Sequence, residues 1–453
     1  MREPRNRVVQ VRRFGAPDGL EVVDAPLPTA GRGEVRVRVL ASSVEYTDIT
    51  IRRHLYPWVL RRPPFVLGYD VVGEIDQLGD GVSNFQLGDR VVDMTVLGSN
   101  ATFRTLRADH VTQVPAGVDA AEAATLILSW TTAYQLLHRA ARVQRGQRVL
   151  VHGAAGGVGQ ALLVLGKMAG LEVWGTARGE HAALIREFGA TPIDYKREDF
   201  TRVLPDGFDI VFDGIGEDGY RRSFAALKRG GFLCAYGYTA GVQAQHRMVT
   251  MLMWVARLYL WRWLRGGKRA RGYSINVMRA RHPAWFREDL ERLFGLLATR
   301  AIRPRIAERI SFDEVAEAHR RLEAGGLEGK LVLCPELSSS RSRPDAPGEA
   351  QSSVAGKGLA SDAASSVAQP ESPTSAISED SPNRQELERR RDIMRRFFND
   401  FWKSTDVKPV AFAERLNQAE SYINERLAAC GETWQLNSGT RKQLGLPPHS
   451  NHG

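Results

Sequence analysis

Residues 148–166, RVLVHGAAGGVGQALLVLG, contain five glycines, four of them between two apolar runs, in a pattern suited to binding phosphate groups. A glycine-rich turn lets backbone N–H groups approach a pyrophosphate, and the first turn of the following helix directs unpaired N–H donors at it. The strand–turn–helix context therefore predicts a dinucleotide fingerprint on Gly153, Gly156, Gly157 and Gly159. The alternative is a tight turn that binds no ligand.

The next strand, EVWGTAR, bears on which dinucleotide would bind. An acidic residue at the end of this strand would bind the ribose hydroxyls of NAD. This strand instead ends in Thr176-Ala177-Arg178. Arg178 can pair with a 2′-phosphate, so the sequence favours NADPH; the alternative is a solvated surface arginine.

The order of apolar patterns predicts how these residues are positioned. Short alternating runs such as EVRVRVLAS indicate β-structure over residues 1 to about 125. From Ala120 a long Ala/Leu-rich run predicts a helix, and strands and helices then alternate through FLCAYGY. This βαβαβ order predicts an α/β fold with a doubly wound parallel sheet.

We predict six parts from these patterns and from composition. A Ser/Ala/Pro-rich stretch after Pro335 has few large apolar residues, which predicts disorder. The parts are 1–122, rich in β-structure; 123–241, with alternating strands and helices; 242–285, a basic tryptophan-rich insert; 286–336, helices with short strands; 337–383, a disordered linker; and 384–453, a small helical appendage.

Cysteine usage limits the classes of site that the chain can build. The three cysteines, Cys234, Cys334 and Cys430, are far apart and form no CxxC pair. This excludes a disulfide framework and a cysteine-rich zinc site, and it fits a reducing cytoplasm. The N-terminal residues carry charge without an apolar run, so we expect no signal peptide.

Residues 8 to 335 resemble the medium-chain dehydrogenase/reductase superfamily, specifically its zinc-free quinone oxidoreductase branch, which includes zeta-crystallin-like and VAT-1-like proteins. The matching stretches occur in family order: ASSVEYTDITIRRHLYP, PPFVLGYDVVGEIDQLGDGVSNFQLGDRVV, ILSWTTAYQLL, HGAAGGVGQ, FGATPIDYKREDF and GGLEGKLVLCP. The resemblance implies a GroES-like catalytic domain at 1–122, a Rossmann NADP-binding domain inserted at 123–241, and a return of the chain to the catalytic domain at 286–336. It also implies a homodimer.

The resemblance also bears on metal binding. Zinc-dependent relatives supply cysteine near ASSVEYTD, histidine in a Gly-His-Glu motif and cysteine near SWTTAY. This chain has Val44 and Glu45, then Gly68-Tyr69-Asp70, then Ser129. A catalytic zinc needs three protein ligands and an open position, so we expect no metal site.

The remaining chemistry is hydride addition to an activated acceptor, a quinone or an α,β-unsaturated carbonyl compound. The resemblance implies that backbone groups of Ala155 to Val158 hold the pyrophosphate and that Tyr195 flanks the 2′-phosphate beside Arg178. It implies that Thr131 and Tyr236-Gly237 border the nicotinamide. It implies a pocket that draws on Tyr46, Asp48, Tyr56 and Tyr69.

The role of the pocket residues stays open at this point. Tyr46 or Tyr56 could donate a proton to the enolate oxygen, or each tyrosine could serve packing alone. Relatives often carry asparagine where this chain has Glu45, and a carboxylate there could weaken turnover. The alternative function is therefore a nucleotide-binding, membrane-associated or RNA-binding protein with little turnover.

The net charge of +10 is concentrated in one block. Residues 241–310 carry 15 Lys+Arg and 4 Asp+Glu, and residues 245–282 carry nine basic residues and no acidic one. This pattern fits an interfacial helix on an anionic membrane, with Trp254, Trp261 and Trp263 at headgroup depth. A helix that closes over the pocket or a dimer contact, with its arginines solvated, is the favoured interpretation; nucleic acid is the least favoured partner.

The last segment has an amphipathic helical pattern of its own. In ELERRRDIMRRFFNDFW (386–402), apolar residues recur at helical spacing and predict a face that packs against another helix or a partner. We assign it no function.

Overall fold

The structure is a computed structural model that describes residues 5–56, 59, 61–242, 254, 257–258, 261 and 267–337. The strands are Asn6–Val11 (β1), Leu20–Ala25 (β2), Glu34–Ser43 (β3), Phe65–Val66 (β4), Asp70–Leu78 (β5), Arg90–Met94 (β6), Phe103–Arg107 (β7), Thr112–Gln113 (β8), Arg148–His152 (β9), Glu172–Ala177 (β10), Thr191–Asp194 (β11), Phe208–Asp213 (β12), Leu227–Ala235 (β13), Arg269–Gly272 (β14), Ile306–Ile310 (β15) and Lys330–Leu333 (β16). The α-helices are Tyr46–Arg52 (α1), Ala120–Thr125 (α2), Thr131–Gln135 (α3), Gly157–Met168 (α4), Ala182–Glu187 (α5), Arg221–Ala225 (α6), Thr239–Val242 (α7), Ile275–Arg281 (α8), Pro283–Ala298 (α9) and Val315–Ala324 (α10).

The first half of the chain builds two antiparallel sheets around a valine-rich core. In β3 the alternating pattern EVRVRVL buries Val35, Val37 and Val39 on one face, and the arginines between them face outward. This strand pairs antiparallel with β5 on one side and β7 on the other. A smaller sheet has the order β2-β1-β4. This is the predicted β-rich, GroES-like part.

The nucleotide half is a six-stranded parallel sheet of order β11-β10-β9-β12-β13-β14. Its central strands, RVLVH and FDIVFD, are buried almost throughout, as expected of strands covered on both faces. From β9 the chain proceeds outward to β10 and β11, then crosses to β12 on the other side. The strand order therefore reverses between β9 and β12, where ligands of such sheets bind.

The helix predicted from Ala120 enters this half as one uninterrupted segment. Within it, α2 and α3 are separated by a π-helical turn over Leu126–Trp130, and a second π turn covers Leu136–Ala141. Each π turn holds an extra residue within the helix and frees a local carbonyl oxygen. The segment ends at Arg142 in the left-handed conformation.

The chain then returns to the catalytic half through its last two strands. The parallel pair β15–β16 joins the first half because β16 pairs antiparallel with β3, with Val332 opposite Ser43. This pairing places the start of β16 beside the end of β3 and the start of α1. Lys330 is thereby brought to Glu45, far away in sequence.

The predicted end of the nucleotide-binding part at residue 241 is wrong. Residues 269–272 form β14, which hydrogen-bonds to β13 as the sixth strand of the parallel sheet, so they are not part of a separate insert. A basic edge strand of sequence RARG has no apolar run to predict it. The proposed boundary at 285 also falls inside α9, which begins at Pro283.

The described aromatic residues of the basic block pack against the nucleotide half, whereas Arg269 and Arg271 are exposed. Trp254 is 9% exposed and lies edge-on to Tyr220, and Trp261 stacks on Phe224. Arg257 donates to the carbonyl oxygens of Asp218 and Gly219. The expectation of tryptophans at headgroup depth is therefore wrong for Trp254; Trp261 is only partly buried, and Trp263 lies outside the described residues.

Several other expectations also lie outside the described residues. They are the linker from residue 338 onward, the appendage at 384–453 with its helix at 386–402, and most of 245–266. Among the residues that the structure covers, no helix combines the length and hydropathy needed to cross a bilayer.

Candidate active site

The glycine turn after β9 forms a close-packed cradle at the point where the strand order reverses. Gly153 has φ +68°, a conformation that L residues rarely adopt. A Cβ on Gly159 would lie 2.3 Å from the Gly153 carbonyl oxygen, so only glycine lets α4 begin this close to the strand. On Gly157, a Cβ would lie 2.7 Å from Lys330 Cε and 2.9 Å from Ser129 Oγ. The start of α4 thus faces an ammonium group and a hydroxyl.

The other residues expected at the pyrophosphate lie in this same turn. Gly156 caps α4 with an ordinary extended backbone, and Val158 is in its first turn. The Ala155 carbonyl oxygen accepts a hydrogen bond from Gln160 Nε2 at 2.7 Å, which fixes the turn from within the helix. The first N–H groups of a helix have no partner within the helix, so those of α4 can donate to a ligand.

Tyr236 and Gly237 follow β13 and lie against the turn after β12. A Cβ on Gly214 would lie 2.7 Å from the Tyr236 ring, and one on Gly237 would lie 2.5 Å from the Gly214 carbonyl oxygen. Thr131, also expected near the nicotinamide, is fully buried, and its hydroxyl donates to the Leu126 carbonyl oxygen at 2.9 Å. Thr131 therefore has no hydroxyl proton left for a ligand.

At the other end of the crevice, Arg178 lies directly after β10 and is ion-paired. Its Nη2 is 3.0 Å from Glu180 Oε1, and the two side chains are 34% and 57% exposed. A Cβ on Gly325, after α10, would lie 3.1 Å from the same Arg178 nitrogen. Tyr195, beyond β11, is 46% exposed. Glu180 is an acidic neighbour that the sequence pattern did not bring to attention.

Lys330 is the second residue that sequence reasoning missed. It forms an ion pair with Glu45, and the two side chains are only 14% and 6% exposed. A buried carboxylate needs a cation partner, and that requirement was the available signal. The partner itself could not be identified, because only the β3–β16 pairing brings the two residues together.

Two more carboxyl groups lie near this ion pair, and burial raises the pKa of both. Asp48 accepts from the Glu45 backbone N–H at 3.0 Å, and burial raises its pKa to about 7. Asp70 accepts from the Ser43 backbone N–H at 2.7 Å; burial, and secondarily the Glu45 carboxylate, raise its pKa well above its ordinary value. Near neutral pH, retained protons limit the negative charge of this cluster.

The tyrosine pair of the pocket forms a hydrogen-bonded group with a third side chain. Tyr56 and Tyr69 hydroxyl oxygens are 2.8 Å apart, and Asn276 of α8 donates from Nδ2 to them at 2.7 Å and 2.8 Å respectively. Burial raises the pKa of both tyrosines above its usual range, so both are neutral hydroxyl donors. Tyr46 is half-buried and makes no hydrogen bond with the described residues.

This donor set does not fit a zinc ion. Val44, Tyr69 and Ser129 stand where the zinc-dependent pattern needs cysteine, histidine and cysteine. The Tyr69 hydroxyl is occupied by Tyr56 and Asn276, and a neutral phenol is not a zinc ligand of the usual kind. Within the described ranges, no group of three or more His, Cys, Asp or Glu residues is placed to hold a metal ion.

Both halves of the chain match known protein families. Residues 31–125 match the family model of the alcohol dehydrogenase GroES-like domain, and residues 188–333 match that of zinc-binding dehydrogenases. The chain is 31% identical to a quinone oxidoreductase of Pseudomonas aeruginosa, over 72% of this chain and 99% of that protein. It is 28% identical to a 2-haloacrylate reductase of Burkholderia sp, over 72% and 98%.

Two solved structures have the same architecture. The Escherichia coli quinone oxidoreductase complexed with NADPH is 25% identical, with a TM-score of 0.65 over 73% of this chain and 100% of that chain. The human synaptic vesicle membrane protein VAT-1 homolog-like protein is 27% identical, with a TM-score of 0.62 over 74% and 100%.

Proposed function

The chain belongs to the quinone oxidoreductase branch of the medium-chain dehydrogenase/reductase superfamily, and from this membership we propose that it reduces a quinone or an α,β-unsaturated carbonyl compound with NADPH and without a metal ion. The P. aeruginosa relative is a quinone oxidoreductase. The Burkholderia relative is a 2-haloacrylate reductase, whose name denotes an alkene conjugated to a carboxyl group. Both acceptor types are activated by conjugation.

The crevice at the strand reversal supports the cofactor part of the proposal. Bound NADPH would supply a hydride. The early N–H groups of α4 and the Lys330 ammonium group face the place where a pyrophosphate would lie. Arg178 lies at the adenosine end, with Tyr195 beyond the neighbouring strand, and both suit a 2′-phosphate. The E. coli relative with NADPH bound favours the same cofactor.

The observation that carries the catalytic part is the hydroxyl pair of Tyr56 and Tyr69, in the pocket where zinc-dependent relatives have a metal ligand. An enone that accepts a hydride at its β-carbon becomes an enolate, and its oxygen must then receive a proton. A neutral tyrosine hydroxyl can stabilise that oxygen by hydrogen bonding and can donate the proton. Tyr56 is the better candidate, since it is half-buried whereas Tyr69 is 1% exposed.

The alternative, a binding protein with little turnover, was supported by Glu45 and by the basic block. Glu45 is paired with Lys330, so its carboxylate does not stand as an uncompensated charge in the site. In the basic block, Trp254 is buried in the nucleotide half, and Trp261 is partly buried against Phe224. Both findings favour the enzyme over the binding protein.

The test is NADPH oxidation by the full chain with quinones and enones, comparing wild type with Tyr56→Phe. The loss of a positioned proton donor typically slows catalysis about 10²-fold, and NADPH affinity measured by calorimetry should stay the same. Tyr134→Phe, on α3, is a matched control that should leave the rate unchanged. Equal rates for wild type and Tyr56→Phe would contradict the role of Tyr56.

A further inference from the structure

We infer that Asn276 is a positioning residue of this pocket: its amide orients the Tyr56 and Tyr69 hydroxyl protons so that the pocket can bind an oxyanion on an aromatic or enone-like ligand. The inference deepens the proposed function and rests on it for the identity of the ligand. It arises from a contact between the two halves of the described unit, in a stretch that the sequence assigned to the basic insert.

The geometry joins three polar side chains from three elements. Asn276 is in α8, directly after the last strand of the parallel sheet, whereas Tyr69 precedes β5 and Tyr56 follows α1 in the catalytic half. Asn276 Nδ2 lies 2.7 Å from Tyr56 Oη and 2.8 Å from Tyr69 Oη. In addition, Tyr69 donates to Asn276 Oδ1 at 3.1 Å. The pocket is therefore complete only where the two halves meet.

Counting protons shows what the amide does. The carboxamide has two N–H donors and one carbonyl acceptor, and each tyrosine has one hydroxyl proton. The N–H donors are directed at both phenol oxygens, and the carbonyl accepts the Tyr69 proton. The Tyr56 proton is then the one that the amide does not accept, and it can point to Tyr69 or to a ligand oxygen.

The electrostatics suit a ligand that carries negative charge on oxygen. The Asn276 N–H group that donates to Tyr56 increases the polarity of its hydroxyl and strengthens it as a donor. Of the two tyrosines, Tyr56 is the more exposed, because Tyr69 is almost fully buried. Burial raises the pKa of both tyrosines and outweighs the Asn276 hydrogen bond, which lowers it, so neither loses its proton near neutral pH.

The substitution Asn276→Asp tests the direction of these bonds. It keeps the size and shape of the side chain, but a carboxylate only accepts hydrogen bonds. Both tyrosine protons would turn toward it, and a bound oxyanion would meet a negative charge instead of a donor. A residue that merely fills space would not produce this charge selectivity.

The experiment measures ligand binding, not turnover, in the full chain. The probes are 3,4-dinitrophenolate, an oxyanion on an aromatic ring, and its neutral methyl ether, titrated by absorbance at about pH 6, where Asp48 holds its proton. The variants are Asn276→Asp, Asn276→Ala, Tyr56→Phe and a matched control, Asn6→Asp. Asn6 is a buried amide of β1 that donates to the Pro26 carbonyl oxygen at 3.1 Å.

We expect wild type and Asn6→Asp to favour the phenolate over the ether to the same degree. In Asn276→Asp this preference should fall at least tenfold, and Asn276→Ala and Tyr56→Phe should show smaller losses. An unchanged preference in Asn276→Asp, a parallel loss for both ligands or no preference in wild type would overturn the inference. The phenolate binds without hydride transfer, so a chain that fails to oxidise NADPH but shows the selective loss refutes the proposed function alone.

Discussion

Glu180 is the residue that controls whether Arg178 is free for a 2′-phosphate. The pair is partly exposed, so it contributes little to stability, but a phosphate must displace the carboxylate from the guanidinium group. We predict that Glu180→Gln raises the affinity for NADPH by about two- to fivefold, the range expected for one weak ion pair, and does not raise the affinity for NADH. Calorimetric titration with both cofactors measures the ratio.

The control for this substitution is Glu172→Gln, an exposed glutamate at the other end of the same strand, β10. It should leave the NADPH/NADH ratio unchanged. If Glu180→Gln changes both affinities equally, Glu180 does not compete for Arg178.

Asp48 should make the stability of the chain depend on pH. Its pKa is raised from 3.8 to about 7 on folding, so the folded state binds more protons than the unfolded state between these values. The unfolding free energy contributed by this group therefore falls as the pH rises through that window. We predict that the unfolding free energy of Asp48→Asn rises relative to that of wild type by about 4 kcal/mol between pH 4 and pH 8.

Urea denaturation of both proteins at several pH values measures this difference. Asp109→Asn is the matched control, because the Arg107 side chain lowers the pKa of Asp109, which is exposed. The difference in unfolding free energy between Asp109→Asn and wild type should not grow with pH above about 4. A constant difference for Asp48→Asn would show that this carboxyl group titrates normally.

At this scale the sequence identified residues but not their partners. Gly153, Gly159 and Arg178 could be selected because the strand–turn–helix pattern fixes their local role. Glu180 was overlooked, although it lies two residues from Arg178. Lys330 and Asn276 could not be found, because their contacts with Glu45 and the tyrosines arise only from tertiary pairing of distant segments.

At the scale of elements, the junction of β9 and α4 depends on glycine at the start of the helix. We predict that Gly159→Ala lowers the unfolding free energy by about 1–3 kcal/mol and weakens NADPH binding at least tenfold, because the new Cβ would lie 2.3 Å from the Gly153 carbonyl oxygen. Thermal unfolding and calorimetric titration measure the two effects.

Gly295→Ala, in α9, is the matched control, since a Cβ added there would meet no atom of another element within 4 Å. Alanine is the better helix former, so this variant should be as stable as wild type or slightly more stable. Wild-type NADPH affinity in Gly159→Ala would show that the cradle is not the cofactor site.

The elements with strong periodicity were predictable, and those without it were not. Alternation in EVRVRVLAS and the apolar runs of β9 and β12 predict their strands, because burial on one face or on both determines those patterns. The edge strand β14 (RARG) is short and basic, and helix α8 (INVMRAR) is short and mixed in character. Neither sequence has the periodic apolar pattern that predicts a strand or a helix. The tryptophans of the basic block suggested a membrane surface, a lid or a dimer contact, because their sequence pattern does not show that Trp254 packs against Tyr220.

At the scale of the whole molecule, the ion pair between Lys330 and Glu45 joins the returning chain to the first half. Both side chains are largely buried. We predict that Lys330→Met lowers the unfolding free energy by about 3–5 kcal/mol, because Glu45 would remain buried without a cation. The double variant Glu45→Gln/Lys330→Met should recover most of that loss, as measured by urea denaturation.

The exposed pair of Arg320 and Glu317 is the control for this cycle, with each side chain nearly half exposed. Arg320→Met should lower the unfolding free energy by less than about 1 kcal/mol. If the losses of Glu45→Gln and Lys330→Met simply add in the double variant, the two residues are not coupled.

The overall arrangement was predicted from the order of patterns together with the family resemblance. The βαβ order predicts the parallel sheet and its binding crevice. The antiparallel pairing of β16 with β3 lies beyond periodicity, because residues about three hundred positions apart share no local pattern. Yet this pairing completes the site, since it brings Lys330 to both Glu45 and the glycine turn.

The central claim is hydride transfer from NADPH to a conjugated acceptor with no metal ion involved. Loss of NADPH absorbance with a panel of quinones and enones, before and after dialysis against a chelator, tests it most directly. We predict acceptor-dependent oxidation at a rate that the chelator leaves unchanged. Tight NADPH binding without oxidation by any acceptor, or activity that the chelator abolishes and zinc restores, would contradict the account.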